Sequence, residues 1–245
     1  MKRKRVEYTM YSPKIPESLR LAVVADLHDA PFEDVMADLR ACDAILVVGD
    51  LVNRHRSTYE EATRFLREAP EAAPVFYSLG NHERRFVHRE EWMERVRESQ
   101  VRLLDDESVG FRGIRLGGLS SRPYGEANLD FLAAFSREEG FKLLLCHHPE
   151  VYRNHVSGND IDLTLCGHAH GGQIQLFGHG LFAPGQGLFP KMTHGLYDQD
   201  RMLLSRGMSN SAGVPRINNP LELILLNLRP GENTIIEKET YSAHE

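Results

Sequence analysis

Histidine, aspartate and asparagine gather in a few short segments of this 245-residue sequence, which holds 12 histidines. In chain order the segments are D-L-H, G-D, G-N-H-E, H-H-P and G-H-A-H-G-G-Q. Imidazole nitrogens combined with carboxylate and amide oxygens, and without thiolates, suit Mn, Fe, Co, Ni or Zn. The candidate metal ligands are Asp26, His28, Asp50, Asn81, His147, His168 and His170.

This set is larger than one metal ion requires. A carboxylate can bridge two ions about 3.5–4 Å apart, so the pattern predicts two divalent transition-metal ions (Mn, Fe, Zn, Co or Ni). Taken alone, D-x-H is a weak signal, and Gly-Asp after a strand is often only a turn. G-H-A-H-G-G-Q is more specific, because its flanking glycines allow two histidines to face one site.

The segments lie at the ends of strand-like runs. Strands are predicted at 19–26, 43–50, 73–81, 114–121, 141–148, 161–168, 201–207, 221–228 and 234–241. Helices are predicted near 32–42, 57–69, 90–100 and 127–136, and an ordered loop at 171–195. Ligands of open α/β sheets bind outside the carboxyl ends of the strands. We therefore expect an α/β domain, with the early strands parallel, that collects these side chains at one edge.

The composition excludes some classes of protein. With 35 acidic and 29 basic residues the net charge is −6, which argues against a general or specific nucleic-acid binder. The three cysteines lack C-x-x-C spacing, and Cys146 and Cys166 precede motif residues in apolar runs, so both are expected to be small core residues. We expect a cytoplasmic protein.

A basic cluster occupies residues 2–5. It predicts a basic N-terminal extension over residues 1–11, which is either a solvated terminus or what remains of an anchor. Alternatively, residues 2–5 make peripheral contact with the inner face of a membrane, since each basic residue near anionic lipid contributes about 1 kcal/mol.

Together, D-x-H, G-D, G-N-H, H-x-P and G-H-x-H-G-G-Q resemble the motifs of the calcineurin-like metallophosphoesterases. The segments FAPGQGLFPK (182–191), GLY (195–197), SRG (205–207) and PRINNPLEL (215–223) resemble a bacterial phosphodiesterase branch related to UDP-diacylglucosamine hydrolases. The resemblance implies one metallophosphoesterase domain over residues 1–245. Its fold would be a four-layer α/β/β/α sandwich of two mixed sheets flanked by helices.

The resemblance also implies roles for single residues. One metal would be held by Asp26, His28, Asp50 and His170, and the other by Asp50, Asn81, His147 and His168. A hydroxide bridging the metals would attack phosphorus in line with the leaving oxygen. His82 would be the catalytic residue, neutralising phosphoryl charge or protonating the leaving group.

One position departs from the related protein Ser/Thr phosphatases, which have Asp-Arg-Gly after the G-D strand. Here Asn53 replaces the aspartate, and we expect it to accept a hydrogen bond from the His82 imidazole without stabilising its charge. Five residues are further candidates for contacting substrate: Asn53, Arg84, His179, His194 and Arg206. For each of them, an ordinary structural role is the alternative.

The predicted function is hydrolysis of a P–O bond in a phosphate ester, with a phosphodiester favoured over a monoester. A nucleotide-linked or lipid-like substrate is suggested by the resemblance and the basic start. The alternatives are a protein Ser/Thr phosphatase, a nuclease, and a metal-binding scaffold without activity. The residues leave the natural substrate, the native metals and the oligomeric state open.

Overall fold

The computed structural model describes residues 3–176, 179–211, 214–232 and 236–241, with residues 179 and 236–241 described through their backbone. Two large sheets and two short hairpins make up the strands of these residues. The strands are β1 Lys4–Ser12, β2 Leu19–Val24, β3 Ala44–Val48, β4 Val75–Ser78, β5 Arg102–Leu103, β6 Glu107–Phe111, β7 Ile114–Leu119, β8 Lys142–Cys146, β9 Leu163–Cys166, β10 Gln175–Leu176, β11 His179–Gly180, β12 Phe182–Ala183, β13 Gly187–Leu188, β14 Gly195–Tyr197, β15 Met202–Leu204, β16 Glu222–Pro230 and β17 Ile236–Tyr241.

Both large sheets are mixed. The first has the order β17-β1-β16-β2-β3-β4-β5, and the second has the order β14-β15-β9-β8-β7-β6. The run β2-β3-β4-β5 is parallel, as is the run β7-β8-β9-β15, whereas β16 pairs antiparallel with β2. The prediction of parallel early strands is therefore confirmed.

Helices cover the outer faces of the two sheets. They are α1 Met36–Arg40, α2 Glu60–Ala72, α3 Asn81–Arg84, α4 Arg89–Glu98, α5 Leu129–Ser136 and α6 Pro149–Val151, with 3₁₀ turns at Glu33–Val35, Pro123–Gly125 and His170–Gly172 and a π-helical turn at Tyr152–Val156. None of the helices in the described residues is both long and apolar enough to cross a membrane.

Three apolar clusters separate the layers. Alternate residues of β2 point to opposite faces: Leu21 and Val23 pack between the sheets, whereas Ala22 and Val24 pack beneath the helices. A third cluster joins the outer face of the second sheet to α5 and α6 and includes Cys146 and Cys166. The predicted four-layer α/β/β/α sandwich is confirmed, and both cysteines lie in the core as expected.

The predicted N-terminal extension over residues 1–11 is wrong. β1 is an interior strand, parallel to β16 and antiparallel to β17, with Val6, Tyr8 and Met10 buried. Arg3 and Arg5 are buried as well, where they pair with Asp34 and Asp38 respectively. These two guanidinium groups are turned into the protein and are not free for anionic lipid. Residue 2 lies outside the described residues.

Candidate metal centre

The carboxyl ends of five strands meet at one edge of the sandwich, where the loops after β2, β3, β4, β8 and β9 approach one another. His28 Nε2 lies 3.7 Å from Asp26 Oδ1 and 3.8 Å from Asp50 Oδ2. His147 follows β8 of the second sheet, and its Nε2 lies 3.2 Å from Asp50 Oδ2. Asp50 therefore lies between residues contributed by both sheets.

The G-H-A-H-G-G-Q segment completes the cluster. His170 Nε2 is 3.7 Å from Asp26 Oδ1, and the backbone N–H of His168 donates to the Asp26 carboxylate. Potential ligand atoms within 4.8 Å of one another occur in four overlapping groups: Asp26, His28 and His170; Asp26, Asp50 and His147; His28, Asp50 and His82; and His147, His148 and His168. The structure thus brings six of the seven predicted ligands together, and the seventh, Asn81, lines a groove with His168.

The donor atoms of this cluster fit metal ions. Buried polar groups are nearly always hydrogen-bonded, because an unsatisfied one costs about 1–3 kcal/mol. Yet His28 Nε2 and Asn81 Oδ1 are buried without a hydrogen-bond partner, and His147 Nε2 has only the ion-pair contact with Asp50. The other ring nitrogens of the two histidines contact backbone oxygens, with Nδ1 3.2 Å from Val52 O and 2.8 Å from Val48 O. Such contacts orient a histidine whose free nitrogen binds metal.

Five of the predicted ligands have left-handed backbone conformations. The φ angles are 55° at Asp26, 49° at His28, 57° at Asp50, 70° at His168 and 48° at His170. For a residue other than glycine this conformation is uncommon, although aspartate, asparagine and histidine adopt it more readily than most. Such conformations concentrate at functional sites.

Gly80 allows the loops to approach each other closely. A Cβ atom at Gly80 would lie 2.1 Å from Asp50 Oδ1, which is far below van der Waals contact. The side chain of Asp50 fills this space and accepts a hydrogen bond of 2.8 Å from His82 N–H. The glycine of G-N-H-E therefore provides room for the central carboxylate.

Glu83 supports the loops of the site through its buried carboxylate. The sequence analysis did not identify this residue. Its carboxylate is fully buried and accepts backbone N–H groups from Gly80 at 2.7 Å, Asp50 at 2.9 Å and Val52 at 3.2 Å. The loops after β3 and β4 are thereby joined through one side chain. The signal was present in G-N-H-E, where a glutamate adds nothing that a turn needs.

The contacts of His82 differ from the prediction. Its Nδ1 accepts a hydrogen bond of 3.1 Å from the backbone N–H of Arg54, whereas Asn53 Oδ1 accepts from the N–H of His55 at 3.0 Å. The expected hydrogen bond from His82 to Asn53 is therefore wrong. Because Nδ1 acts as an acceptor, the neutral ring carries its proton on Nε2, which lies 3.9 Å from Asp50 Oδ2.

Burial and charge act in opposite directions on these groups. Burial lowers the pKa of His28 to about 3 and that of His82 to about 4, against the attraction of Asp50. Burial also disfavours the charged forms of Asp50 and His147. Their mutual attraction is stronger, so the pKa of Asp50 is lowered and that of His147 is raised. The site therefore stabilises an anionic Asp50.

The candidate substrate residues have different surroundings. Asn53 lines a groove next to His28, and Arg84 lines another next to Asn81 and His168. Arg206 Nε lies 3.3 Å from Glu222 Oε2 in a largely buried ion pair, so a structural role explains this arginine. His194 contacts Thr193 and Gln175, and the side chain of His179 lies outside the described residues.

Two further residues adjoin the cluster. Arg216 is buried, with Nη2 3.1 Å from His170 Nδ1 and 2.7 Å from Ser209 O, and its Nε and Nη1 have no hydrogen-bond partner. The ring of His148, the residue that follows His147, lies 4.3 Å from that of His168. Arg216 reaches His170 across 46 residues of sequence, so local spacing contains no signal for this contact.

An α/β/β/α sandwich with buried carboxylate, amide and imidazole groups at the strand ends has the ligands of a two-metal protein. The sequence profile of the calcineurin-like phosphoesterases matches residues 19–179, which include the cluster described above up to His170. The chain therefore belongs to the calcineurin-like phosphoesterase family.

Curated relatives agree with this membership. The chain is 26% identical over 235 residues to an uncharacterized metallophosphoesterase of Campylobacter jejuni, covering 89% of this chain and 61% of the relative. It is 27% identical over 242 residues to one from Helicobacter pylori, covering 91% and 63%. It is 26% identical over 234 residues to phosphodiesterase YaeI of Escherichia coli, covering 85% and 82%. The chain thus spans about three fifths of the Campylobacter and Helicobacter relatives.

Proposed function

We propose that this chain is a di-metal-dependent phosphoesterase that hydrolyses a phosphodiester. The observation that carries the proposal is that ring nitrogens from both sheets, on His28 and His147, meet at the Asp50 carboxylate. These two nitrogens and Asn81 Oδ1 are also buried without a hydrogen-bond partner. Family membership and the similarity to a phosphodiesterase of E. coli support the same reaction. A relationship to UDP-diacylglucosamine hydrolases stays a prediction.

The seven ligands fall into two overlapping sets. Asp26, His28, Asp50 and His170 would hold one ion, and Asp50, Asn81, His147 and His168 would hold the other. Asp50 can serve both ions because its carboxylate has two oxygens and lies between the sheets. When bound, two divalent cations would stabilise charge on phosphorus and lower the pKa of the attacking water.

His82 would act as a hydrogen-bond donor to the reacting phosphate. The Arg54 N–H occupies Nδ1, so the one N–H proton of the neutral ring is on Nε2, on the side of Asp50. A phosphoryl or leaving oxygen within reach of Nε2 would accept a hydrogen bond from this N–H, which would stabilise the negative charge that develops as the P–O bond breaks while the ring keeps its proton. Backbone hydrogen bonding, rather than a neighbouring carboxylate, sets the tautomer.

The test compares Asp50→Ala with His82→Ala. Bound metal is measured by inductively coupled plasma mass spectrometry, and turnover is measured with bis(p-nitrophenyl) phosphate in Mn²⁺ or chelator. We expect Asp50→Ala to lose both ions. His82→Ala should keep them while kcat falls by about 10²–10³-fold, the range typical of losing one hydrogen-bond donor to a developing oxyanion. Loss of metal from the His82 variant would contradict its assigned role.

A substrate panel separates the proposal from its alternatives. It contains the diester, p-nitrophenyl phosphate as a monoester, and a phosphopeptide. Preference for the phosphopeptide would favour a protein phosphatase. Two bound ions without turnover of any substrate would favour a metal-binding scaffold.

A further inference from the structure

An arginine-rich groove of about 650 Å³ opens beside the metal centre. Asn81 and His168 line its inner end, so the groove is continuous with the proposed site of hydrolysis. Glu150 is the carboxylate among its described lining residues. The arginines that line it are Arg54, Arg84, Arg85, Arg122 and Arg153.

Most of these arginines lack a counter-charge. Arg122 pairs with Asp106 at 2.5 Å. Within the part of the chain that the structure describes, no carboxylate lies within ion-pair distance of the other four. Elsewhere in the same protein, which has a net charge of −6, arginines such as Arg64, Arg112 and Arg115 are paired with acids. The groove therefore concentrates uncompensated positive charge.

The opposite side of the metal centre has a different character. The groove there, of about 530 Å³, is lined by His28 and Asn53 and includes Glu33 and Asp34 among its charged residues. Two arginines, Arg3 and Arg56, are matched there by two carboxylates, and Arg3 pairs with Asp34. The excess of positive charge is therefore on the His168 side, and this asymmetry gives an elongated substrate a preferred orientation.

We propose that the arginine-rich groove binds a second phosphate group of the substrate, one that is not hydrolysed. The inference rests on the proposed function. A scissile diester has one negative charge, which the metal ions themselves would compensate. The four guanidinium groups without an acidic partner lie outside the metal centre and favour the binding of a further anion. Arginine binds phosphate oxygens through two parallel N–H donors. A phosphorylated nucleotide and a phosphorylated lipid headgroup share this chemistry.

The test uses two pairs of ligands that differ by one phosphate. Thymidine 5′-monophosphate is compared with thymidine 3′,5′-bisphosphate, and glycerophosphoinositol with glycerophosphoinositol 4-phosphate. Each competes with bis(p-nitrophenyl) phosphate on the metal-loaded full chain, and calorimetric titration measures its binding directly. We expect the extra phosphate to tighten binding about tenfold, or about 1.4 kcal/mol, in at least one pair. An effect in one pair alone identifies the nucleotide or the headgroup as the source.

Variants locate the effect. In Arg84→Gln and Arg153→Gln, both at exposed positions, the ratio of the two affinities should fall towards one. Arg97→Gln, at an exposed position on α4 outside the groove, should keep the wild-type ratio. The ratio is taken within each variant, so a change in turnover cancels.

Two results would overturn the proposal: equal binding within both ligand pairs, or an advantage that persists in both groove variants. A protein that turns over no diester would refute the proposed function instead. The calorimetric ratio would still decide whether the groove selects a second phosphate.

Discussion

Replacing Glu83 with glutamine tests whether one buried carboxylate holds the metal-binding loops together. Glu83 Oε2 accepts the N–H groups of Gly80 and Asp50, and Oε1 accepts that of Val52. Glutamine has the same shape but only one acceptor oxygen. If this oxygen takes the place of Oε2, the side-chain NH₂ faces the Val52 N–H, and two donors oppose each other in the core.

The change in the free energy of unfolding has two parts: the hydrogen bonds that are lost, and the penalty for burying a charge that is avoided. Hydrogen bonds to a charged group contribute about 1.5–3 kcal/mol each, and a buried donor without a partner costs about 1–3 kcal/mol. Against this, burial raises the pKa of Glu83, so a neutral side chain avoids part of the cost of burying charge. The lost bonds should prevail, and we expect Glu83→Gln to lower the free energy of unfolding by about 2–4 kcal/mol.

Urea denaturation and thermal melting measure this loss. For a chain of this size, a loss of 3 kcal/mol lowers Tm by about 6–12 °C. Bound metal should fall as well, because Asp50 and Asn81 lie on the two loops that Glu83 joins. Glu94→Gln, at an exposed position on α4, should behave like wild type. A Glu83→Gln variant within about 0.5 kcal/mol of wild type, with full metal content, would refute the bracing role.

Three other changes test separate parts of the structure. Gly80→Ala should displace Asp50 and lower metal content, because the new Cβ would lie 2.1 Å from the carboxylate; mass spectrometry of the purified protein measures this. Arg216→Met should lower the free energy of unfolding by about 1–3 kcal/mol in urea denaturation, because the buried carbonyl of Ser209 loses the hydrogen bond of 2.7 Å that Arg216 donates. Deletion of residues 1–12 should prevent cooperative thermal unfolding, because it removes an interior strand.

Each of these expectations can fail in a distinct way. Gly110→Ala is the control for Gly80, since its Cβ would meet only the end of the Arg115 side chain; equal metal content in the two variants would contradict the crowding at Asp50. Unchanged stability of Arg216→Met would show that the hydrogen bond to the Ser209 carbonyl contributes nothing. A deletion variant that melts cooperatively at the wild-type temperature would contradict an interior β1.

The sequence predicted the α/β class and the approximate strand ends because their signals are local, whereas the four layers were implied by the resemblance to the metallophosphoesterases. Continuous apolar runs such as 44–48 indicate strands buried on both faces, and the polar residues that follow them mark the ends. β1 was missed even though Val6, Tyr8 and Met10 alternate as in a half-buried strand, because the basic cluster beside them suggested a solvated terminus. The clustering of the predicted ligands follows from parallel strands sharing one edge.

Contacts between distant segments could not be read from spacing. Arg216 reaches His170, and Arg3 reaches the oxygen of Met208 across 205 residues. The backbone N–H that contacts His82 belongs to Arg54, next to the side chain that was expected to do so. Side-chain type suggested a polar partner for the imidazole, but the backbone path of the loop decided which group supplies it.

Aspartate and histidine at the site satisfy two requirements, which are metal ligation and a left-handed backbone. A left-handed backbone costs most residues about 1–2 kcal/mol, and the loops after β2 and β3 adopt it at Asp26, His28 and Asp50. Hydrogen bonds between these loops offset part of the cost, since Asp26 N–H donates to Gly49 O and His28 N–H to Asp50 O. Aspartate and histidine tolerate this conformation better than β-branched or bulky residues. Selection for ligand chemistry and selection for backbone conformation therefore favour the same side chains, so D-x-H carries more structural information than its length suggests.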